Sequence, residues 1–261
     1  MSENAVVVYT SDAGVGRITI RRPEKLNALN KEVLLGVGEA LGRARDDEEA
    51  GAVILTGAGD KAFVAGADIK EMAELSPHEA RHFARLGQSL GEAIDAVGKP
   101  VIAAIEGFAL GGGCEIALMC HLRVAGARAR FGQPEVGLGL IPGFGGTQRL
   151  SRLVGEGRAL ETILSCEMIS AETALAWGLV NRLATERSAL EEAQELATTI
   201  AGKGPRAVGY SIDAVRKGLQ MPLGEALEYE ATLFGLTFAT EDMQEGTAAF
   251  LEKRRPEFKG R

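Results

Sequence analysis

Three glycine-dense segments hold the residues best suited to chemistry: 63–70 (FVAGADIK), 107–115 (GFALGGGCE) and 132–143 (GQPEVGLGLIPG). In the second, Gly111, Gly112 and Gly113 stand between an apolar run and an apolar helical stretch. Glycines there permit a sharp turn and close approach of a ligand to the backbone. The first N–H groups of the helix that follows have no intrahelical partner and sit at its positive end. Such a place stabilises an oxyanion. Ala65-Gly66-Ala67 fits a similar description ahead of a helix expected from Ile69. Two such turns facing each other would give one carbonyl oxygen two donors. Tight turns with no further purpose fit the same glycines, and both readings stand at this level.

Two acids share these segments. Glu115 falls in the first helical turn before Ile-Ala-Leu-Met, and Glu135 lies between Pro134 and Val136. Apolar neighbours disfavour the charge of each. Taken singly, Glu115 suits a helix start and Glu135 suits a surface loop. Brought together in one dry pocket, they would titrate apart, one keeping its proton while the other serves as base. That pair is what placing the proton and hydroxyl of water on neighbouring carbons requires.

Other chemistries lack their residues. The cysteines Cys114, Cys120 and Cys166 form no CxxC pair, and with only His78, His82 and His121 beside them no metal site is expected. No GxGxxG stands between a strand and a helix, no P-loop occurs, and no nucleophile elbow is expected. Cys114 as a nucleophile would need His121 as its base, two turns further along the same helix.

These residues need a frame. Residues 6–9 and 15–20 read as strands joined by a turn at 11–14, and Pro23 ends the second. Asn30 can cap a helix bearing Val33, Val37, Leu41 and Ala44 at helical spacing. The apolar runs 52–55, 101–105 and 122–125 read as buried strands. One long helix is expected over about 69–97, a short one over 114–120, mostly loop over 131–146, and almost only helices after 148. The result is an α/β core followed by a helical part, with no repeat of fixed period.

Of the 261 residues, 46% are hydrophobic and 25% charged, enough apolar material for a sizeable core. The net charge of −7 argues against general binding to nucleic acid or anionic membranes. The first apolar run, residues 5–9, follows Glu3 and is too short for a secretory signal. A soluble cytoplasmic protein is expected.

The combination of AGADIKEM at 65–72, GFALGGGCE at 107–115 and FGQPEVGLGLIPGFGGTQRL at 131–150 resembles the enoyl-CoA hydratase/isomerase (crotonase) superfamily, and the similarity runs through nearly the whole chain. The resemblance implies a crotonase-like spiral of ββα repeats over 1–195 and a helical trimerisation region over 196–261. It implies Ala67 and Gly112 as oxyanion-hole donors. Glu115 would activate the water that attacks Cβ, and Glu135 would protonate Cα. Gln133 would orient Glu135. Ala65, Asp68, Ile69 and Lys70 would bind the coenzyme A portion of the substrate, with Phe250 and Lys253 at its nucleotide end, often from a neighbouring subunit. No separate cofactor or metal is implied, because coenzyme A belongs to the substrate. Retention of both acids favours hydration of a short-chain trans-2-enoyl-CoA in fatty-acid β-oxidation, or the reverse dehydration. A Δ3,Δ2-isomerase, a hydratase of branched or aromatic acyl-CoA, and an RNA-binding relative are the alternatives. The family forms trimers, commonly paired into hexamers. The family often has Asp after the cysteine where this chain has His121, so a local packing difference is expected there, and Val64 replaces a frequent alanine.

Overall fold

A computed structural model describes residues 5–261; residues 1–4, including Glu3, lie outside it. β1 (Val7–Asp12) and β2 (Val15–Ile20) pair antiparallel through a two-residue turn, Ala13-Gly14. Both turn residues have positive φ, as the tightest right-twisting hairpin connection demands. The turn is thus shorter than the sequence suggests. α1 (Lys31–Asp46) follows, its first turn capped by Asn30, whose Oδ1 accepts from Val33 N–H at 3.0 Å.

The chain then repeats one gesture. β3 (Ala52–Gly57) leads to β4 (Ala62–Val64), then α2 (Ile69–Met72) and α3 (Pro77–Ala96). β5 (Val101–Ile105) leads to β6 (Phe108–Leu110) and α4 (Gly112–Met119). β7 (Leu122–Gly126) leads to β8 (Arg130–Gly132), a 3-10 turn at Pro134–Leu138, α5 (Gly146–Val154) and α6 (Glu156–Ser165). The first strand of each repeat enters a six-stranded sheet and the second enters a four-stranded one. β3, β5 and β7 are parallel neighbours, as are β4, β6 and β8. This is a spiral of ββα turns. Its repeat strands start at 52, 101 and 122, so the unequal helical insertions erase any fixed period. β9 (Ile169–Ser170) closes the small sheet, α7 (Ala171–Ala176) follows, and β10 (Arg182–Ala184) extends the large one beside β7.

The large sheet is covered on both faces. Val53, Leu55, Val101, Ala103 and Ile105 join a core shared with α1, α3 and α4. The alternate residues Ile54, Ile102, Ala104 and Val124 pack on Ala189, Ala193 and Ala197 of α8 (Ala189–Ala201). Burial on both sides explains the unbroken apolar strands. It also moves the expected boundary at 195/196, which falls inside α8. That helix packs on the sheet along its length, and the separate helical part begins after it with α9 (Pro205–Gly218), α10 (Leu223–Thr237) and α11 (Glu241–Glu252).

The single helix expected over 69–97 is two. The chain breaks at 73–76, and Ser76 restarts it with a capping box, its Oγ accepting from Glu79 N–H while Glu79 Oε2 accepts from Ser76 N–H. A Gly-x-Ser-x-Gly spacing does exist at Gly87, Ser89 and Gly91, but it lies within α3 rather than at a strand-to-helix elbow. Ser89 Oγ donates to Leu86 O, and a Cβ at Gly87 or Gly91 would strike the Phe144 ring or the Arg149 guanidinium. These glycines make room for packing.

Candidate active site

Parallel pairing of β4 with β6 sets the two glycine turns side by side, because each follows directly from one of these strands. A Cβ on Gly66 would lie 3.6 Å from Leu110 O, at the end of β6. After β4, Leu29 N–H donates to Gly66 O at 2.9 Å and Asp68 N–H donates to Leu29 O at 2.7 Å. The main-chain groups of residues 66 and 68 thus face Leu29. In a parallel bridge those of the residue between them, Ala67, face the opposite way. After β6, Gly111 takes φ +50°, and Gly112 opens α4 with an N–H that has no intrahelical acceptor. α4 sits hard against β4: a Cβ on Gly113 would lie 2.1 Å from Val64 O. α2 has only four residues, so the Ala67 donor depends on the bridge to Leu29 and not on a helix dipole.

All eight residues of α4 are buried, Glu115 among them. Its Oε1 accepts from Phe144 N–H at 2.7 Å and Gly146 N–H at 2.6 Å. Burial pushes the Glu115 carboxyl up to about 7, although these donors favour its charge; the nearby Glu135 adds repulsion. Glu135 sits in the 3-10 turn after Pro134. A Cβ on Gly111 would lie 2.6 Å from Glu135 Oε1, so this carboxyl reaches the same glycine turn. Its Oε2 is buried without a hydrogen-bond partner, and burial raises its pKa as well. The two acids, twenty residues apart in sequence, therefore meet beside the N-terminus of α4.

The remaining expected residues divide. Gln133 is fully buried, but its amide lies beside Gly146, next to Glu115, and makes no hydrogen bond to Glu135. The expectation that it orients Glu135 finds no hydrogen bond to act through among the described residues: Gln133 follows β8 and caps the 3-10 turn that carries Glu135, with its amide unpartnered. Asp68 is engaged by Arg22 at 3.2 Å and Lys25 at 3.4 Å, which ties its carboxylate to the protein rather than presenting it to a ligand. Ala65 N–H donates to Leu26 O at 3.0 Å. Ile69 and Lys70 are exposed on α2 beyond this loop. Phe250 and Lys253 lie exposed at the end of α11, with no hydrogen bond to the site among the described residues.

Other contributors carry weaker sequence signals. Asn27 is buried at φ +58°; its Oδ1 accepts from Arg22 N–H, and its Nδ2 donates to Ala58 O and Ala62 O. It fixes the base from which Arg22 holds Asp68. Phe144 packs on Phe83 with the rings tilted and their centroids 5.3 Å apart, and touches the position of Gly112, besides offering its N–H to Glu115. Cys114 and Cys120 are buried thiols that burial pushes up to about 12, so neither is a ready nucleophile. His121 follows α4, where its Nδ1 accepts from Val101 N–H at 2.9 Å and its Nε2 lies 3.7 Å from Asp95. It serves packing away from the two acids.

The chain is similar to known proteins in sequence and in fold. The enoyl-CoA hydratase/isomerase family matches residues 10–261. The chain is 48% identical to the short-chain-enoyl-CoA hydratase of Clostridium acetobutylicum, over 98% of each chain. It is 48% identical to the crotonyl-CoA hydratase of Syntrophomonas wolfei, over 97% of each. A crystal structure of an enoyl-CoA hydratase from Bacillus anthracis superposes with a TM-score of 0.94 at 39% identity, covering 98% of this chain and 100% of that one. With two acids and two backbone turns in one place, and a match extending from the first hairpin to the last residue, the chain belongs to the enoyl-CoA hydratase/isomerase family.

Proposed function

We propose that this protein is an enoyl-CoA hydratase, adding water reversibly across the 2,3 double bond of a short-chain trans-2-enoyl-CoA to give the 3-hydroxyacyl-CoA. The observation that carries the reading is the meeting of Glu115 and Glu135 beside the Gly111–Gly112 turn. The relatives named for short-chain and crotonyl substrates support the chain length.

The thioester oxygen accepts from the Ala67 and Gly112 N–H groups, which stabilise the enolate as Cβ is attacked. One such donor is worth about 3 kcal/mol of barrier. Glu115, whose Oε1 takes two backbone N–H bonds that favour its charge against the cost of burial, draws the proton from water. Glu135 has a buried oxygen with no hydrogen-bond partner, and burial raises its pKa, which favours the protonated form that delivers a proton to Cα. The coenzyme A portion lies along the loop that holds Ala65 and Asp68 and along Ile69 and Lys70 at the start of α2, with Asp68 held in place by Arg22 and Lys25. Phe250 and Lys253 would reach the nucleotide end from a neighbouring subunit in a trimer or a pair of trimers. We place the enzyme in the cytoplasm, in β-oxidation or a dehydration running the other way. No helix among the described residues is long and apolar enough to cross a membrane.

The test is hydration of crotonyl-CoA against longer and branched enoyl-CoAs, followed by loss of enoyl-thioester absorbance. Crotonyl-CoA should be turned over fastest. Glu115→Gln and Glu135→Gln should each fold and lose about 10³-fold in kcat. A variant near parental activity removes that residue from the mechanism.

A further inference from the structure

Residues 78–82 read His-Glu-Ala-Arg-His, the spacing that puts two imidazoles on one helix face as metal ligands with a glutamate between them. Both histidines are exposed on the first turns of α3. Their Nε2 atoms are 3.0 Å apart, and their rings meet edge to face with centroids 4.4 Å apart. The glutamate is engaged elsewhere: Glu79 Oε2 accepts from the N–H and Oγ of Ser76 in the capping box. No third ligand accompanies the pair among the described residues. The zinc-hydrolase reading of this spacing therefore fails for want of both its base and its third ligand. What survives is a two-nitrogen chelate.

We propose that His78 and His82 form a surface site for a divalent transition-metal ion of the nickel or copper type. The geometry selects the ion class. At metal–nitrogen distances of about 2.05 Å, nitrogens 3.0 Å apart subtend about 94° at the metal. That is the angle between neighbouring ligands in square-planar or octahedral coordination, which Cu²⁺ and Ni²⁺ adopt, and it is narrower than the tetrahedral angle zinc prefers. The proton one Nε2 carries in this contact moves to Nδ1 or is released to solvent, both rings then turn their Nε2 lone pairs to the shared ion, and water completes the shell. The only other histidine, His121, has a nearly buried side chain whose Nδ1 is already engaged, so it offers no competing site.

The experiment is calorimetric titration of the full-length protein with NiCl₂ in a non-chelating buffer. One ion should bind per chain. His78→Ala and His82→Ala should each weaken binding by about tenfold or more, because the second ligand then no longer acts within one molecule. Glu79→Gln should bind as the parent does. Hydration of crotonyl-CoA should be unchanged in both alanine variants. The proposal is overturned if the parent takes up no nickel, if either alanine variant binds as tightly as the parent, or if Glu79→Gln abolishes binding.

Discussion

Glu115 is an acid that the fold makes costly to ionise and then holds in place with two N–H groups. Its carboxyl, ordinarily near 4.5, is lifted to about 7 by burial. Between those values the folded chain keeps a proton that the unfolded chain has released. The stability this provides is complete below the unfolded value and disappears as pH rises through the folded one. Glu115→Gln stays neutral throughout and can still accept from Phe144 and Gly146. It should therefore exceed the parent in stability above neutrality by about 3 kcal/mol and match it near the unfolded pKa. Urea midpoints measured at about pH 4 and about pH 8 check this, with nearly all of the gap expected at the higher value. The same shift predicts the acid limb of activity: kcat/KM should fall as pH drops below about 7.

At the scale of elements, the site depends on how closely α4 approaches β4. The contact of Gly113 with Val64 O leaves no room for a side chain, and the obstacle is backbone, which cannot rotate away. Gly113→Ala must push the helix off the strand and part the two donor turns. Overpacking of this kind costs about 1–3 kcal/mol, and a displacement near 1 Å at the reacting groups costs about a hundredfold in rate. A variant with native circular dichroism, a modest fall in melting temperature and about a hundredfold lower kcat is expected; parental kcat would show that the turns tolerate separation. The triple glycine, Glu115 at a helix start and five strands of the large sheet were legible, because continuous apolar runs and glycine clusters are local signals; its sixth, β10, has three residues and was read as part of a helical region. The strands of the small sheet were not, since β4, β6 and β8 have three residues each and β9 two, too few to show a period. The restart of α3 was missed although Ser76 and Glu79 spell a capping box, because apolar spacing continues across the break. The Phe144 and Gly146 donors to Glu115 could not be seen at all: a backbone N–H carries no side-chain signature.

Over the whole molecule, the two covered faces of the large sheet contrast with the helices beyond α8. Leu219, Leu223, Phe250 and Leu251 are 84%, 75%, 82% and 79% exposed, and the exposed rings of Phe234 and Phe238, at the end of α10, meet edge to face with centroids 5.2 Å apart. A fully buried side chain of this size is worth about 1.5–3 kcal/mol, so leaving several uncovered on neighbouring helices forgoes much of what they offer. A second and third copy of the chain would cover them, and would carry Phe250 and Lys253 to a neighbour's coenzyme A loop. Light scattering after size exclusion should give the mass of a trimer or hexamer at micromolar concentration. Leu219→Asp and Leu223→Asp, each placing a charge where an apolar contact is expected, should shift that mass toward a single chain. In the same preparations the KM for crotonyl-CoA should rise with little change in kcat, because Glu115, Glu135 and both donor turns belong to one chain while the nucleotide contacts would not. A parent that runs as a single chain and still binds substrate tightly would show that α9–α11 serve neither assembly nor the neighbouring site.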